Sequence, residues 1–325
     1  MTQRVLITGG AGFIGSHLSE RLLQQGHHVT ILDDLSTGRY TNIAHLEGHE
    51  RVSLIIDSVL NEPLTEELIR GSDRVFHLAS AVGVKLIMEQ PVRTIETIFG
   101  GTDVVLRCCA RYRKRVLITS TSEVYGKGVM APFREDQDML MGTTSRHRWA
   151  YACAKALDEF LALAHWKETR LPVAVVRLFN TTGPRQTGQY GMVVPRFVQT
   201  ALAQEAITVH GDGGQSRCFA HVSDVTEILA HMLEMPACFG QVINLGNDDE
   251  ITINQLAERV IKLTRSKSEI RHIPYREAYG EDFEDMRRRV PDLQKAKTLL
   301  GYRPKRDIET IIQDIAAEMQ TNIHA

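Results

Sequence analysis

A glycine-rich turn near the amino terminus limits what this chain can fold into. The apolar run Arg4–Thr8 predicts a short strand, and the apolar pattern from Phe13 through Leu23 predicts a helix. The turn Gly9-Gly10-Ala11-Gly12-Phe13-Ile14-Gly15 lies between them and overlaps the start of the helix. Glycine lets the backbone bend tightly and approach a pyrophosphate, whose charge would meet the positive end of the helix dipole. The order strand, turn, helix therefore predicts a dinucleotide site, with contacts at Gly9, Gly12, Phe13, Ile14 and Gly15.

The second predicted strand, His28–Leu32, ends in two acidic residues. Asp33 and Asp34 follow it directly, about 20 residues beyond the glycines, where a carboxylate can accept both hydroxyls of a ribose. Such a carboxylate would repel a 2′-phosphate, so we expect NAD rather than NADP as the cofactor. An ordinary acidic turn is the alternative explanation for either residue alone.

Further strands alternate with helices along the first half of the chain. Apolar runs predict strands, and a helix is expected near 91–112 and another around Tyr151; the strands are at 52–57, 74–79, 115–120 and 172–178. This alternation is typical of an α/β fold with a doubly wound parallel sheet. Four residues at strand ends are candidate cofactor contacts: Asp57 and Ser58 near the adenine, and Leu78 and Ala79 beneath the cofactor. Each could equally be an ordinary strand end.

The predicted central strand ends in a cluster of polar side chains. Thr121, Ser122 and Glu123 follow the apolar run, and Tyr151 and Lys155 are four residues apart, so both project from one face of a helix. A phenol has a pKa near 10 and needs a fixed cation to act as a base at neutral pH. We expect Tyr151 to take a proton from an alcohol, with its pKa lowered by Lys155. By itself the spacing is weak evidence, because a buried Tyr and a solvated Lys would look the same.

The second half of the chain changes character after residue 180. A loop at 182–191, an apolar helix at 193–203 and a glycine turn at 211–217 come first, and helices are predicted at 222–234, 252–264, 292–299 and 306–320. A strand at 241–245 is expected to return to the main sheet. We therefore expect one domain at 1–179 plus about 219–247, and a smaller lobe at 180–218 and 248–325. Arg217 in the glycine turn and the run Arg287–Arg289 could bind a diphosphate, or could be surface charge.

Composition narrows the class of partner. Lys and Arg number 38 against 40 Asp and Glu, which gives no reason to expect nucleic acid or an anionic membrane. The five cysteines are odd in number and lack C-x-x-C spacing, so we expect neither disulfides nor a metal site. No apolar run reaches the roughly 18 residues of a membrane span. A soluble cytoplasmic protein is the expectation.

These motifs together resemble the extended short-chain dehydrogenase/reductase family, whose members modify nucleotide sugars. The resemblance rests on blocks spread over nearly the whole chain: the glycine turn, Asp33, Phe76-His77-Leu78-Ala79, Ser120–Gly126, Tyr151-x-x-x-Lys155, Arg177–Arg185 and Gln215-x-Arg217-x-Phe219. It implies a Rossmann-type domain that binds NAD and a smaller carboxyl-terminal lobe that binds the nucleotide sugar. It also implies a homodimer formed through the helices at 91–112 and 147–169.

Within that family the chain is most similar to the UDP-glucuronate decarboxylases, including UDP-xylose synthase. Glu123 carries this choice, because sugar 4-epimerases of the family usually have a small or apolar residue there. The first alternative is a UDP-hexose or UDP-hexuronate 4-epimerase. A 4,6-dehydratase comes next, but enzymes of that kind have an acidic residue at the position that Ser122 occupies here. The last alternative is a non-catalytic NAD sensor. Two features depart from the pattern: Ile98 replaces a usual Asn, and the segment before Tyr151 lacks the Cys-Tyr-Asp-Glu signature of UDP-xylose synthases.

The resemblance also implies roles for individual residues. Tyr151, Lys155, Thr121, Ser122 and Glu123 would be catalytic, with either hydroxyl sharing the hydrogen bond to the substrate. The substrate contacts would be Asn180, Arg185, Val193, His210, Arg217 and Arg289. Of these, Arg289 would bind the uridine diphosphate, and Arg217 the diphosphate or the sugar carboxylate. The expected product is a UDP-pentose, or a 4-keto pentose if NADH escapes.

Overall fold

Short apolar strands alternate with amphipathic helices through most of the chain. The computed structural model describes residues 2–80, 90–128, 130–188, 192–279 and 286–323. Its strands are β1 (Arg4–Thr8), β2 (His28–Asp33), β3 (Val52–Ile56), β4 (Arg74–His77), β5 (Arg115–Thr121), β6 (Val173–Leu178), β7 (Thr181–Thr182), β8 (Ile207–His210), β9 (Ser216–Cys218), β10 (Ala220–His221), β11 (Gln241–Leu245), β12 (Glu250–Thr252), β13 (Ile270–Ile273) and β14 (Arg288–Arg289). Its α-helices are α1 (Phe13–Gln24), α2 (Glu62–Gly71), α3 (Pro91–Ile95), α4 (Gly101–Tyr112), α5 (Arg148–Thr169), α6 (Val193–Leu202), α7 (Val222–Met232), α8 (Ile253–Thr264), α9 (Tyr275–Tyr279), α10 (Gln294–Leu300) and α11 (Ile308–Ile323).

Seven parallel strands form the main sheet, in the order β3-β2-β1-β4-β5-β6-β11. The order reverses between β1 and β4, and this reversal opens a crevice at the carboxyl ends of the strands, where α/β sheets bind ligands. Strand β1 shows why the sheet is covered on both faces. Val5 and Ile7 enter one apolar cluster with α1 and α7, whereas Leu6 enters the other, with α4 and β5. The expected doubly wound α/β sheet is confirmed, and the strand at 241–245 does return to it.

The second lobe has an apolar core of its own. Phe197 of α6, Ile207 of β8, Leu256 of α8 and Ile312 of α11 are all fully buried in it. Helix α8 begins with a capping box, in which Thr252 accepts from the backbone N–H of Gln255 at 3.1 Å and the Gln255 side chain bonds back to the backbone of Thr252. Two small sheets complete this lobe: β13 beside β8, and the three strands β12-β9-β14.

Several elements differ from the sequence expectations. The helix expected at 91–112 is α3 and α4 joined by a π-helical segment, Glu96–Gly100. The short strands of the second lobe were missed, because two to four residues carry too little periodicity to stand out. None of the described helices combines the length and the apolar character that a bilayer span requires.

Candidate active site

One cavity of about 520 Å³ collects the residues that the sequence singled out. It lies at the carboxyl edge of the main sheet, and residues of the second lobe contribute to its wall. Its lining includes every predicted contact: Gly9, Gly12, Phe13, Ile14, Gly15, Asp33, Asp34, Asp57, Ser58, Leu78, Ala79, Thr121, Ser122, Glu123, Tyr151, Lys155, Asn180, Arg185, Val193, His210, Arg217 and Arg289. The fold therefore brings together residues as far apart in the sequence as Gly9 and Arg289.

The glycine turn is shaped by close backbone approaches. Gly9 has φ +74°, and a Cβ there would lie 2.6 Å from the backbone nitrogen of Ala79. A Cβ on Gly15 would lie 2.2 Å from the carbonyl oxygen of Gly9. No larger residue fits either position, so glycine is what lets the turn pack against the backbone that follows β4. Helix α1 starts immediately after Gly12, at the cavity wall. A helix amino terminus in this position suits a pyrophosphate.

Asp33 stands at the end of β2 with its carboxylate held in place. It accepts from the backbone N–H groups of Ala11 at 2.9 Å and Leu35 at 2.8 Å. Burial raises the pKa of Asp33, and these two hydrogen bonds oppose the rise. The glycine turn and a fixed carboxylate on one cavity wall fit the phosphates and the ribose of NAD.

The chemical centre forms where β5 ends. Strand β5 passes into a 3₁₀ turn, Ser122–Tyr125, and Thr121 caps that turn by accepting from the backbone N–H of Glu123 at 3.2 Å. The Thr121 hydroxyl is also hydrogen-bonded to the phenol of Tyr151. Ser122 is buried and lines the cavity beside them. The hydroxyl of Thr121 and the phenol of Tyr151 thus lie next to each other at the cavity.

The pKa of Tyr151 differs from the sequence expectation. We expected Lys155 to lower it, but burial raises it strongly, and the negative charge of Glu123 adds to the rise. The hydrogen bond from Thr121 lowers it only in part. Lys155 is itself paired with Asp158, since its Nζ lies 3.1 Å from Oδ2 of that residue. The cation expected to act on Tyr151 is therefore balanced by a carboxylate one turn further along the helix.

Glu123 is held between two arginines. Nη2 of Arg148 donates to Oε2 of Glu123 at 3.1 Å, and Nη2 of Arg289 donates to Oε1. Burial would raise the pKa of Glu123, but the charges of Arg289 and Arg148 outweigh it and lower the pKa. Two guanidinium groups thus hold one carboxylate at the cavity wall beside Tyr151.

The two predicted arginine groups meet in the second lobe. Strand β14 pairs with β9 so that Arg289 lies opposite Arg217, and both side chains reach the cavity. Arg217 lies on β9, not in the glycine turn where the sequence placed it. Arg287 and Arg288 pair with Asp212 and Glu250 at the surface. Within the run, only Arg289 lines the cavity, and its ion pair joins it to Glu123.

The other predicted substrate contacts divide between the two parts of the cavity. Asn180 donates to the carbonyl of Cys218 at 3.0 Å. Val193 begins α6, and His210, at the end of β8, contacts Arg196 at 3.1 Å. Burial, with the charge of Arg196, lowers the pKa of His210 to about 4, so this ring is neutral at physiological pH. Arg185 differs from these, because its guanidinium is paired with Glu20 of α1 on the dinucleotide side.

Comparisons with known proteins agree with this geometry. A family model described as GDP-mannose 4,6 dehydratase matches residues 6–315. The chain belongs to this family of NAD-dependent epimerases and dehydratases. The expected family, fold and NAD dependence are thereby confirmed.

Individual members of the family resemble the chain over most of its length. It is 43% identical to the UDP-N-acetyl-alpha-D-glucosaminuronate decarboxylase of Bacillus cytotoxicus over 94% of each protein. It is 39% identical to UDP-glucuronic acid decarboxylase 1 of Danio rerio, over 93% of this chain and 69% of that protein. The solved structure of UDP-glucuronic acid 4-epimerase from Bacillus cereus, in complex with UDP-glucuronic acid and NAD, superimposes with a TM-score of 0.87. That comparison has 27% identity and covers 98% of this chain and 99% of the other.

Two residues that pair with predicted site residues, Arg148 with Glu123 and Asp158 with Lys155, were not themselves among the predicted contacts. Arg148 lies three residues before Tyr151, so the two share one face of α5. Asp158 lies three residues after Lys155 and shares a face with it in the same way. That spacing is the signal the sequence offers for Asp158, whereas Arg148 also belongs to the Arg148-Trp149 pair that contributes to the family resemblance. It became informative once the structure showed Glu123 next to Arg148 and Lys155 next to Asp158.

Proposed function

We propose that this family member is a UDP-glucuronate decarboxylase that works through transient oxidation at C4 of the sugar. The observation that carries the proposal is the pair of guanidinium groups, Arg148 and Arg289, that hold Glu123 at the cavity wall beside Tyr151. A sugar that carries a carboxylate offers these guanidinium groups a charged hydrogen-bond acceptor, whereas a neutral hexose offers none. Two relatives are named as decarboxylases of UDP-glucuronic acid and of its 2-acetamido counterpart, which supports the same class of substrate.

The reaction begins with removal of the O4 proton by Tyr151. When NAD is bound by the glycine turn and Asp33, it supplies the acceptor for the hydride at C4 and can return that hydride later. Thr121, hydrogen-bonded to Tyr151, shares the substrate oxygen and keeps the phenol oriented. Oxidation at C4 makes the sugar a β-keto acid, because its carboxylate is attached to C5.

Loss of carbon dioxide then breaks the bond between C5 and C6. The electron pair of that bond flows into the C4 carbonyl, whose growing negative charge is met by Tyr151, now protonated, and by the hydroxyl of Thr121 or Ser122. Glu123 either repels the departing carboxylate or takes part in the proton transfer to C5. Return of the hydride to C4 gives a UDP-pentose.

The division of the chain supports this assignment of roles. We propose that residues 1–179 and about 219–247 hold NAD, and that residues 180–218 and 248–325 hold the nucleotide sugar. The separate apolar core of the second lobe supports such a division. Asn180, Arg217 and His210 line the cavity from these second segments, and Arg217 offers a guanidinium to the diphosphate.

The test is incubation with UDP-glucuronate and NAD, followed by mass spectrometry of the nucleotide sugars. We expect a product lighter by one carbon dioxide, and its remaining mass separates a UDP-pentose from the 4-keto form. Parallel incubation with UDP-N-acetylglucosaminuronate decides whether the 2-acetamido sugar is also turned over. A product of unchanged mass with a new retention time would mean 4-epimerisation, as in the Bacillus cereus neighbour, and would overturn the proposal.

We further propose that two copies associate through α3 and α5. These helices pack against each other and leave large apolar side chains exposed: Val92 at 66%, Ile95 at 44%, Leu157 at 47% and Phe160 at 62%. A second copy would cover this face. All five cysteines are free thiols, which suits a reducing compartment, and we place the dimer in the cytoplasm. A single monomer-sized species in analytical ultracentrifugation would contradict the dimer.

A further inference from the structure

Asn244 of β11 is a fully buried amide that joins three separate segments of the chain. Its Oδ1 accepts from the phenol of Tyr125 at 2.8 Å, and its Nδ2 donates to the carbonyl oxygens of Phe133 at 2.9 Å and Asp292 at 3.2 Å. The two carbonyl oxygens can only accept, so the network fixes which end of the amide faces them. An Asp in this position would lack both donors, and a Leu would lack every polar atom. The three hydrogen bonds together therefore require asparagine.

One of these segments carries Glu123. Tyr125 is the last residue of the 3₁₀ turn Ser122–Tyr125 and follows Glu123 by two residues. Its ring stacks on that of Phe133, with the ring centroids 4.8 Å apart and the ring planes inclined by 10°. The side chain of Tyr125 is therefore held both at its face and at its hydroxyl. These contacts anchor the turn to β11 close to the point where Glu123 leaves it.

The other segments fix the chain that follows Arg289. Strand β14 has two residues and ends at Arg289. Beyond it, the backbone N–H of Phe133 donates to the carbonyl of Val290 at 2.8 Å, and the backbone N–H of Asp292 donates to the carbonyl of Phe133 at 2.8 Å. Asn244 completes this pairing, because its Nδ2 reaches the carbonyl oxygens of both strips of chain. The place of Arg289 thus depends on contacts that lie beyond the short strand that carries it.

We propose that Asn244 is a positioning residue that fixes how closely Arg289 approaches Glu123 at the cavity wall. Its amide ties together the two chain segments that supply the members of this ion pair. Asn244 does not itself line the cavity, so it acts through these two residues. A guanidinium and a carboxylate form their strongest hydrogen bonds only in a fixed mutual orientation. The inference rests on the proposed function only in giving Arg289 a sugar carboxylate to bind.

The test measures the coupling between Glu123 and Arg289 in protein without substrate or cofactor. Urea unfolding of the wild type, Glu123→Gln, Arg289→Met and the double variant gives this coupling as a factor in the unfolding equilibrium constant. The same cycle is then repeated with Asn244→Asp, which keeps the size of the side chain but loses both donors. We expect the coupling factor to fall about tenfold there, which is the value of one charge-assisted hydrogen bond. An unchanged factor would overturn the proposal, because an asparagine that only satisfies backbone groups would lower stability without altering the pair.

Substrate preference provides a second measurement. Dissociation constants should show the preference for UDP-glucuronate over UDP-glucose falling about tenfold with Asn244→Asp. In an Arg289→Met background the same change should alter the preference no further, because both variants remove one contact. Equal falls in the two backgrounds would overturn the proposal. A lost coupling with an unchanged preference would uphold the role of Asn244 and contradict the proposed function, so the two failures are distinguishable.

Two further variants control for folding and for chemistry. Tyr125→Phe removes the hydroxyl that donates to Asn244 and keeps the stacked ring, so it replaces Asn244→Asp if that protein does not fold. The coupling factor should then fall about threefold, as expected for one neutral hydrogen bond. Asn42→Asp is the matched control, since the buried amide of Asn42 also donates to a backbone carbonyl, that of Ala11 in the glycine turn, at 2.9 Å. It should leave the coupling factor unchanged, and a fall as large as in Asn244→Asp would overturn the proposal.

Discussion

Two carboxylates influence Tyr151, and they meet their cations in opposite ways. Glu123 is half-buried at the cavity, has two arginine partners and has a lowered pKa. Asp158 is fully buried, has one lysine partner and has a raised pKa. Both groups are desolvated, so the number of cations around each decides the direction of the shift. The first arrangement lines the cavity, where a ligand can reach its cations, whereas Asp158 of the second does not line it.

The two carboxylates therefore differ in what they can do: the one at Glu123 can take part in substrate binding, and the one at Asp158 can only affect the protonation of Tyr151. Two guanidinium groups that share one carboxylate at the cavity wall can exchange an internal ion pair for one with an anionic sugar. A closed neutral pair cannot bind a ligand, and it acts only through its effect on its neighbours. Variants that alter one arrangement and leave the other intact therefore test whether the two roles are distinct.

The largest effect is expected from Glu123→Gln. This change leaves Arg148 and Arg289 without their shared anion, and it removes a group beside the breaking bond, so turnover of UDP-glucuronate should fall about 100-fold. Steady-state kinetics measure this fall. Binding of the anionic sugar should not weaken, because the positive charge of the cluster increases.

The matched control for that variant is Glu250→Gln. Glu250 pairs with Arg288, the residue next to Arg289, but lies outside the cavity. Its loss should leave turnover within a factor of two or so of wild type, as expected for an exposed ion pair. Equal losses in both variants would mean that Glu123 acts only by holding β14 in place.

A smaller effect is expected from Arg289→Met. With one guanidinium gone, the preference for UDP-glucuronate over UDP-glucose should fall roughly tenfold, which is the value of one charge-assisted hydrogen bond. Dissociation constants for the two nucleotide sugars give the ratio directly. Arg288→Met is the control, since its partner Glu250 is at the surface and the ratio should not change. An unchanged ratio in Arg289→Met would remove the cluster from substrate recognition.

The last prediction concerns His77, which lies near the buried pair of Lys155 and Asp158, and its effect appears in stability. Burial, with a contribution from the Lys155 charge, lowers the pKa of His77 from 6.5 to about 3. Between these two values the unfolded chain binds a proton that the folded protein refuses, so stability falls as the pH drops below 6.5. His77→Gln removes that proton site. Between pH 7 and pH 5 the wild type should lose about 2 kcal/mol more stability than the variant.

Urea unfolding at the two pH values measures this difference. His17, whose pKa burial also lowers, lies on α1 away from the Lys155 pair, so His17→Gln shows how much of any effect is common to buried histidines. Parallel stability losses in the wild type and His77→Gln would mean that water reaches His77. The arrangement around Lys155 would then not be sealed.

The sequence by itself determined the part of the protein that depends on local pattern. The glycine turn between β1 and α1, the acidic end of β2 and the alternation of strands and helices predicted the sheet and the NAD site, since each is encoded in neighbouring residues. The spacing of Tyr151 and Lys155 predicted a shared helix face for the same reason. The short strands β9 and β14 were missed, although their pairing is what brings Arg217 and Arg289 together.

Only the tertiary structure decided the electrostatics of the site. Arg289 and Glu123 are 166 residues apart in the chain, and no local pattern connects them. The raised pKa of Tyr151, expected to be lowered, and that of Asp158 follow mainly from burial, which depends on what packs over each group in the folded molecule. The sequence could name the chemical groups of the site, but their charges depend on distances and solvent exclusion that exist only after folding.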